Sequence, residues 1–531
     1  LKGSKVFFNG KIYTQVSGLR PVDSMIVTGN EITAVGTDLD RDVDKSARRK
    51  INLQGRTVLP GFTDAHTHFG YLAFSLGNIR LENCRSLEEV LEIIAAQARK
   101  SGRKEWVVGE GFLPDGWRRR IIPDRFMLDK VTGGRPAVIY SKDQHTVWAN
   151  SRAMAEAGIT AMTPEPAGGK IERLQNNEPS GILREKPAFL PVIRIIDRPG
   201  VSKKRELYKE AVKMAYSRGI TAVHSFDGME FFEFFDSLAR KGLLGLRINY
   251  YFPAESLAIL SGRGIRSGYG NDYFRVSGIK IFADGSLGSQ TALCFNTYKG
   301  MGKYCGVEVT SPKDILAAIR KAARLGLPCA VHAIGDKAVA NVLDCFEDAP
   351  RLRGAVRHRI EHVQMIRRKD IRRLKELDVI ASMQPSHCPF DVPLIEKYWG
   401  GRGRNCYLFN TLIKNGIPVA FGSDAPIEPL DPLAGICAAV NRIPARGGKP
   451  FYPDERISVD SAVYGFTVGP ARAVGQEQER GYLLPGYKAD FIILSDNIYE
   501  MNPANLQESR VLATFFDGEL VYSNGITDLL S

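Results

Sequence analysis

The apolar run Val58-Leu59-Pro60-Gly61-Phe62 leads into Thr63-Asp64-Ala65-His66-Thr67-His68, and this stretch constrains the chain more than any other. Residues two apart on a strand point to the same side, so His66 and His68 aim their imidazoles into one space. Imidazole suits zinc, iron and nickel. A lone His-x-His also arises from core packing. Its position gives this pair weight, because it falls where a buried strand ends, near the start of a long chain.

The middle of the chain supplies a fold for such a strand. Strand-like runs alternate with helical stretches, the pattern of a parallel sheet. The first strand ends at His66 and His68. The others are read at residues 137–140, 221–224, 276–282, 328–332, 359–363, 379–384 and 417–422, with residues 106–109 a further candidate. Helices fill 86–98, 203–217, 311–325, 337–346 and 369–377. The expected fold class is α/β: a closed (β/α)8 TIM barrel over residues 61–479, with long rim-loop insertions after the first two strands. Both chain ends read as short strands around turn signals. Asn9-Gly10, Gly29-Asn30 and Asp517-Gly518 are the expected hairpin turns. Chain ends often lie close together, so residues 1–60 and 480–531 are expected to build one small β-sandwich.

The chain has eight histidines. His66, His68, His224, His332 and His362 fall at or just past the C-terminal ends of predicted strands, the rim where barrel active sites sit. Asp424 follows the eighth strand. Lys280 lies inside the fourth, where burying a charged lysine costs several kcal/mol, so it is expected to be neutralised, paired or covalently modified. Each residue alone has a bland reading: a satisfied core histidine, or a lysine that snorkels. The convergence of all of them on one rim is what points to chemistry.

Composition narrows the rest. In 531 residues, Lys and Arg number 72 against 59 Asp and Glu, a net charge of +13. The excess is spread out. Arg118-Arg119-Arg120, Lys203-Lys204-Arg205 and Arg367-Arg368-Lys369 lack interleaved aromatics, so a solvated basic surface is expected and no nucleic-acid partner. The eight cysteines follow no disulfide or Cys-x-x-Cys spacing, which suits a reducing, cytoplasmic location. No apolar run is long enough to span a bilayer, so no membrane partner is expected. The chain begins at Leu1, which leaves room for a trimmed leader. A homodimer is the default for a large enzyme.

Pro60-Gly61-Phe62-x-Asp64-x-His66-x-His68 resembles the opening motif of the amidohydrolase superfamily. Residues 278–289, Val331-His332-Ala333-Ile334-Gly335-Asp336, Arg359-Ile360-Glu361-His362, Gly422-Ser423-Asp424, Glu428-Pro429-Leu430-Asp431-Pro432 and the Gly481–Phe491 segment are similar to later motifs of its YtcJ-like (amidohydrolase 3) group. The resemblance implies a metal-dependent hydrolase acting on a C–N bond of a small-molecule amide, N-acyl, N-formyl or cyclic amide substrate. It implies one or two divalent ions per chain, most often zinc. His66, His68 and Asp424 would hold one and His332 and His362 the other, with Lys280 bridging as an N-carboxylated lysine. A metal-activated hydroxide would attack, with Asp424 as general base and then acid. His224 is a candidate donor to the substrate oxygen or a packing residue. His145, Asp284 and His387 are candidates for substrate binding, and Asp64 for steadying the first strand. A deaminase of the same superfamily and a non-catalytic scaffold are the alternatives.

Overall fold

In a computed structural model every residue is described except 1–2, 41–47, 104, 113, 115–116, 120, 142–143, 145, 167–168, 197–199, 353, 355 and 526–531. Eight parallel strands form the central sheet: β1 (Phe62–Thr67), β2 (Ile220–Ser225), β3 (Arg247–Pro253), β4 (Phe274–Phe282), β5 (Cys329–Ala333), β6 (Arg359–His362), β7 (Ile380–Met383) and β8 (Val419–Phe421). Each pairs with its neighbour in sequence order. β1, β2, β5, β6, β7 and β8 are buried at every position, as expected of parallel strands covered on both faces. The barrel closes at its rim. A parallel bridge joins Thr67 to Ala425, Asp424 N–H donates to His66 O at 2.7 Å, and His68 N–H donates to Ala425 O at 2.8 Å.

Helices alternate with the strands where the sequence places them, at Val201–Ser217, Pro312–Arg324, Asp336–Glu347 and Ile371–Glu376. The helix Pro312–Arg324 shows why such segments start where they do. Ser311 caps it by accepting the Asp314 N–H, and Pro312 occupies a first-turn position that needs no donor. Among the described residues no helix is long and apolar enough to cross a membrane.

Two strand assignments differ from the sequence reading. The run at 137–140 is a strand, Ala137–Ser141, but it does not belong to the barrel. It sits in a six-stranded sheet ordered Lys170–Arg173, Pro179–Arg184, Thr146–Ala149, Ala137–Ser141, Val107–Phe112, Ile79–Arg80. That sheet lies within a compact unit of its own, Ala73–Lys209, the second unit being Leu1–Leu72 with Glu210–Ser531. The insertion after β1 therefore carries its own sheet and core, built on Val107, Ile139 and Trp148. The barrel strand missing from the sequence reading is β3.

The chain ends form two further sheets. One is ordered Glu31–Gly36, Ser24–Thr28, Ser4–Phe8, Arg48–Asn52, and the other Lys11–Ile12, Thr57–Pro60, Phe491–Leu494, Val511–Phe516, Glu519–Ser523. They share one core, in which Phe491 and Phe515 stack with ring centres 4.4 Å apart and Phe7 meets both edge-on. Hairpins form at Gly29-Asn30 and Asp517-Gly518, closed by the pairs Thr28–Glu31 and Phe516–Glu519. Asn9-Gly10 is not one: the strands on its two sides belong to different sheets, and Asn9, at φ +56°, turns the chain from one to the other.

Candidate metal centre

β1 carries Asp64, His66 and His68 to the rim. Asp64 is buried, and its carboxylate accepts from the His66 N–H at 3.1 Å and from the Ser423 N–H at 3.0 Å, tying β1 to the turn after β8. Burial pushes its carboxyl up to about 6 against those hydrogen bonds. Gly422 is obligatory in this joint. A Cβ there would lie 2.4 Å from His66 N and 2.7 Å from Asp64 Oδ1.

His66 Nδ1 lies 2.5 Å from Glu361 Oε2. Glu361 is held by Arg359, which donates from Nε to one carboxylate oxygen and from Nη2 to the other. A carboxylate so paired accepts, so Nδ1 carries the hydrogen and the lone pair of His66 is on Nε2. That Nε2 faces Asp424 Oδ1 at 3.4 Å. His68 repeats the arrangement. Its Nδ1 lies 2.9 Å from the Phe226 carbonyl, which can only accept, and its Nε2 faces the same Asp424 oxygen at 3.5 Å. Two imidazole lone pairs thus converge on one carboxylate oxygen.

β6 contributes the next layer. Arg359 and Glu361 are two apart and share the inward face. In a regular strand His362 would point away from them, but it adopts φ +72° and Val363 φ +42°. This brings His362 beside His66, ring centres 5.2 Å apart, and beside His332 of β5 at 4.5 Å. Asp424 is also left-handed, at φ +61°. One candidate ligand atom from each of His66, His362 and Asp424 lies within 4.8 Å of the others. His332 Nε2 lies 3.1 Å from the Gly285 carbonyl. Lys280 of β4 is buried, with Nζ 4.8 Å from the centre of the Phe226 ring, and that ring stacks on His66 at 4.4 Å. His387, from the turn after β7, places Nε2 3.9 Å from Asp424 Oδ2.

Burial governs the electrostatics. It drives His66 and His362 well below the usual imidazole range, and His68 and His387 down to about 4. It drives the Lys280 ammonium down and the Asp424 carboxyl up, while the attraction between them opposes both shifts. Neutral imidazole is the form that coordinates a metal. A lone pair facing a carboxylate oxygen is repulsive unless a proton or a cation lies between them, and one proton cannot serve both imidazoles. The donor set therefore fits a divalent metal.

Two further expected site residues are buried beside the candidate ligands and their partners. Asp284 is 1% exposed, and its carboxylate accepts three backbone N–H groups, from Leu293, Ile334 and Gly335 at 2.8, 3.0 and 2.8 Å. It ties the segment after β4 to the turn after β5, and its Oδ1 lies 3.6 Å from His332 Nε2. Burial pushes it up to about 7 despite those donors. His224 is 0% exposed, and its Nδ1 lies 2.8 Å from Arg359 Nη1. His145 lies outside the described residues. The sequence reading missed the weight of Arg359 and Glu361. Their signal was present: two charged residues, two apart, on a strand otherwise apolar and ending in histidine.

A parallel barrel whose rim gathers neutral imidazoles around one carboxylate defines a metal-dependent hydrolase. The chain belongs to the Amidohydrolase family, whose sequence profile matches residues 49–522. It is 30% identical over 529 residues to the putative amidohydrolase YtcJ of Bacillus subtilis (strain 168), covering 97% of this chain and 99% of that protein. It is 27% identical over 523 residues to the N-substituted formamide deformylase of Arthrobacter pascens, covering 94% of each. Among solved structures it is similar to an uncharacterized metal-dependent hydrolase from Pyrococcus horikoshii OT3, with TM-score 0.80 and 28% identity over 94% of this chain and 99% of that one.

Proposed function

We propose that this hydrolase cleaves a C–N bond of a small amide, N-acyl, N-formyl or cyclic amide, using zinc held at the barrel rim. The observation that carries the reading is the convergence of His66 Nε2 and His68 Nε2 on Asp424 Oδ1, a geometry that a bound cation makes favourable. The N-substituted formamide deformylase supports the choice of bond. When bound, the metal supplies a Lewis acid for the substrate carbonyl and a water acidified toward neutrality.

The chain's own residues do the rest. His66, His68 and Asp424 would hold one ion, and His332 and His362 would hold a second. Lys280 would serve both as an N-carboxylated lysine, a modification that removes the cost of a buried cation. Glu361 fixes the tautomer and ring plane of His66 through Nδ1. Asp424, raised by burial, takes the proton of the attacking water and hands it to the leaving nitrogen. His224 positions Arg359. His387 contributes to substrate binding. Residues 1–60 and 480–531 act as the β-sandwich domain beside a barrel of residues 61–479. The eight cysteines are all free, which supports a reducing compartment, the cytoplasm.

The test is product analysis across a panel of amides and formamides, with Asp424→Asn beside the wild type. The wild type should release an amine and a carboxylate, and the variant should lose roughly a hundred- to ten-thousand-fold in kcat. Free ammonia as the product from amino-substituted rings would indicate a deaminase instead, and full turnover by Asp424→Asn would remove that residue from proton transfer.

A further inference from the structure

Three large aromatic side chains stay exposed on the elements that carry the candidate ligands. Phe282 is 44% exposed, Tyr71 46% and Phe390 50%. Phe282 ends β4 two residues beyond Lys280, so the two share the inward face of the barrel. Its ring centre lies 4.9 Å from Lys280 Nζ and 5.3 Å from that of His332. Tyr71 lies in the first turn of the helix Phe69–Ser75, where Asp227 accepts the Gly70 and Tyr71 N–H groups. Its ring centre is 6.2 Å from that of His68. Phe390 follows His387 by three on the helix His387–Leu394, which puts both on one face. Tyr71 follows β1, beside His68, and Phe282 ends β4, beside His332, so the two rings stand at separate points of one rim.

Three cations near these rings, Lys280, Arg359 and Arg367, are already buried or engaged. The two cations acting on His66, Lys280 and Arg359, are buried. Arg359 is engaged by Glu361, the Ala65 carbonyl, Ser382 and His224. Arg367 lies over the Phe295 ring at 4.0 Å and pairs with Asp370. Exposed aromatic rings beside a polar centre are the usual make-up of a site that orients a ligand by apolar contact and acts on it through a few polar groups.

We infer that Phe282 is a specificity residue: it receives an aromatic or bulky apolar substituent next to the scissile bond of an uncharged amide. The choice of an amide rests on the hydrolase reading above, whereas the apolar subsite rests on the rings alone. The test compares N-benzylacetamide with N-methylacetamide, with dissociation constants from saturation-transfer NMR on the purified metal-containing protein and kcat and KM for any turnover. Wild type should bind the benzyl compound at least about tenfold more tightly. Phe282→Ala should remove most of that difference and raise KM for the benzyl substrate, Phe282→Tyr should retain it, and the distant exposed-site control Leu520→Ala should leave it unchanged. Equal affinities in the wild type, no measurable binding of the benzyl compound, or a difference that survives Phe282→Ala would overturn the inference. A binding difference that depends on Phe282, with no amide cleaved, would support the subsite and count against the hydrolysis reading instead.

Discussion

At the scale of single residues, the site is organised by which nitrogen of each imidazole is already committed. His66 and His68 each spend Nδ1 on an acceptor, Glu361 and the Phe226 carbonyl, and so both present Nε2 to Asp424. Glu361 holds His66 through Nδ1 and also pairs with the fully buried Arg359. Glu361→Gln keeps the shape and removes the charge. It should weaken metal binding roughly 10- to 100-fold. It should also lower stability by about 3 kcal/mol, because it leaves a buried guanidinium uncompensated. Competition with a fluorescent chelator and urea unfolding would read the two effects; unchanged values in both would mean that Glu361 is a bystander.

At the scale of elements, the strand ends do the work. β6 delivers Glu361 and His362 to the same side only because His362 and Val363 take positive φ, a conformation that costs about 1–3 kcal/mol per residue and persists where the surroundings impose it. The turn after β8 is welded to β1 through Asp64 and the close approach of Gly422. Gly422→Ala should push that turn away from His66, lowering the melting temperature and metal affinity together; a variant with wild-type values for both would show that the joint tolerates a methyl group. The sequence made His66, His68, Lys280, His332, His362 and Asp424 legible as a group, since each falls at or near a strand end of a repeating pattern. It did not reveal sheet membership. Residues 137–140 are as good a strand as any barrel strand, and local periodicity cannot say which sheet a strand joins. β3 was hidden for the opposite reason. Its inward positions include Arg247 and Asn249, which read as loop until their partners are seen: Asp490 and Asp517 for the first and Ser277 for the second. Nothing in the sequence shows that the Asp284 carboxylate accepts three backbone amides, because its partners lie in distant segments.

At the scale of the whole molecule, one compact unit holds the barrel together with the sheets formed by the chain ends. Arg247 at the foot of β3 is buried between Asp490, just before the strand Phe491–Leu494, and Asp517 of the hairpin turn, so the barrel floor and the terminal sheets are joined by charge as well as by chain. The unit Ala73–Lys209, inserted after β1, has a sheet and core of its own. The proposed hydrolysis turns on a metal ion held at the rim, where His66, His362 and Asp424 gather. The decisive measurement is metal content per chain by plasma mass spectrometry on purified protein, beside the double variant His66→Ala, His68→Ala. The account predicts one to two divalent ions per chain in the wild type and a fall toward none in the variant, with the fold retained by circular dichroism. A wild type that binds none, even when zinc and bicarbonate are supplied during expression, or a variant that keeps the full content, would contradict it.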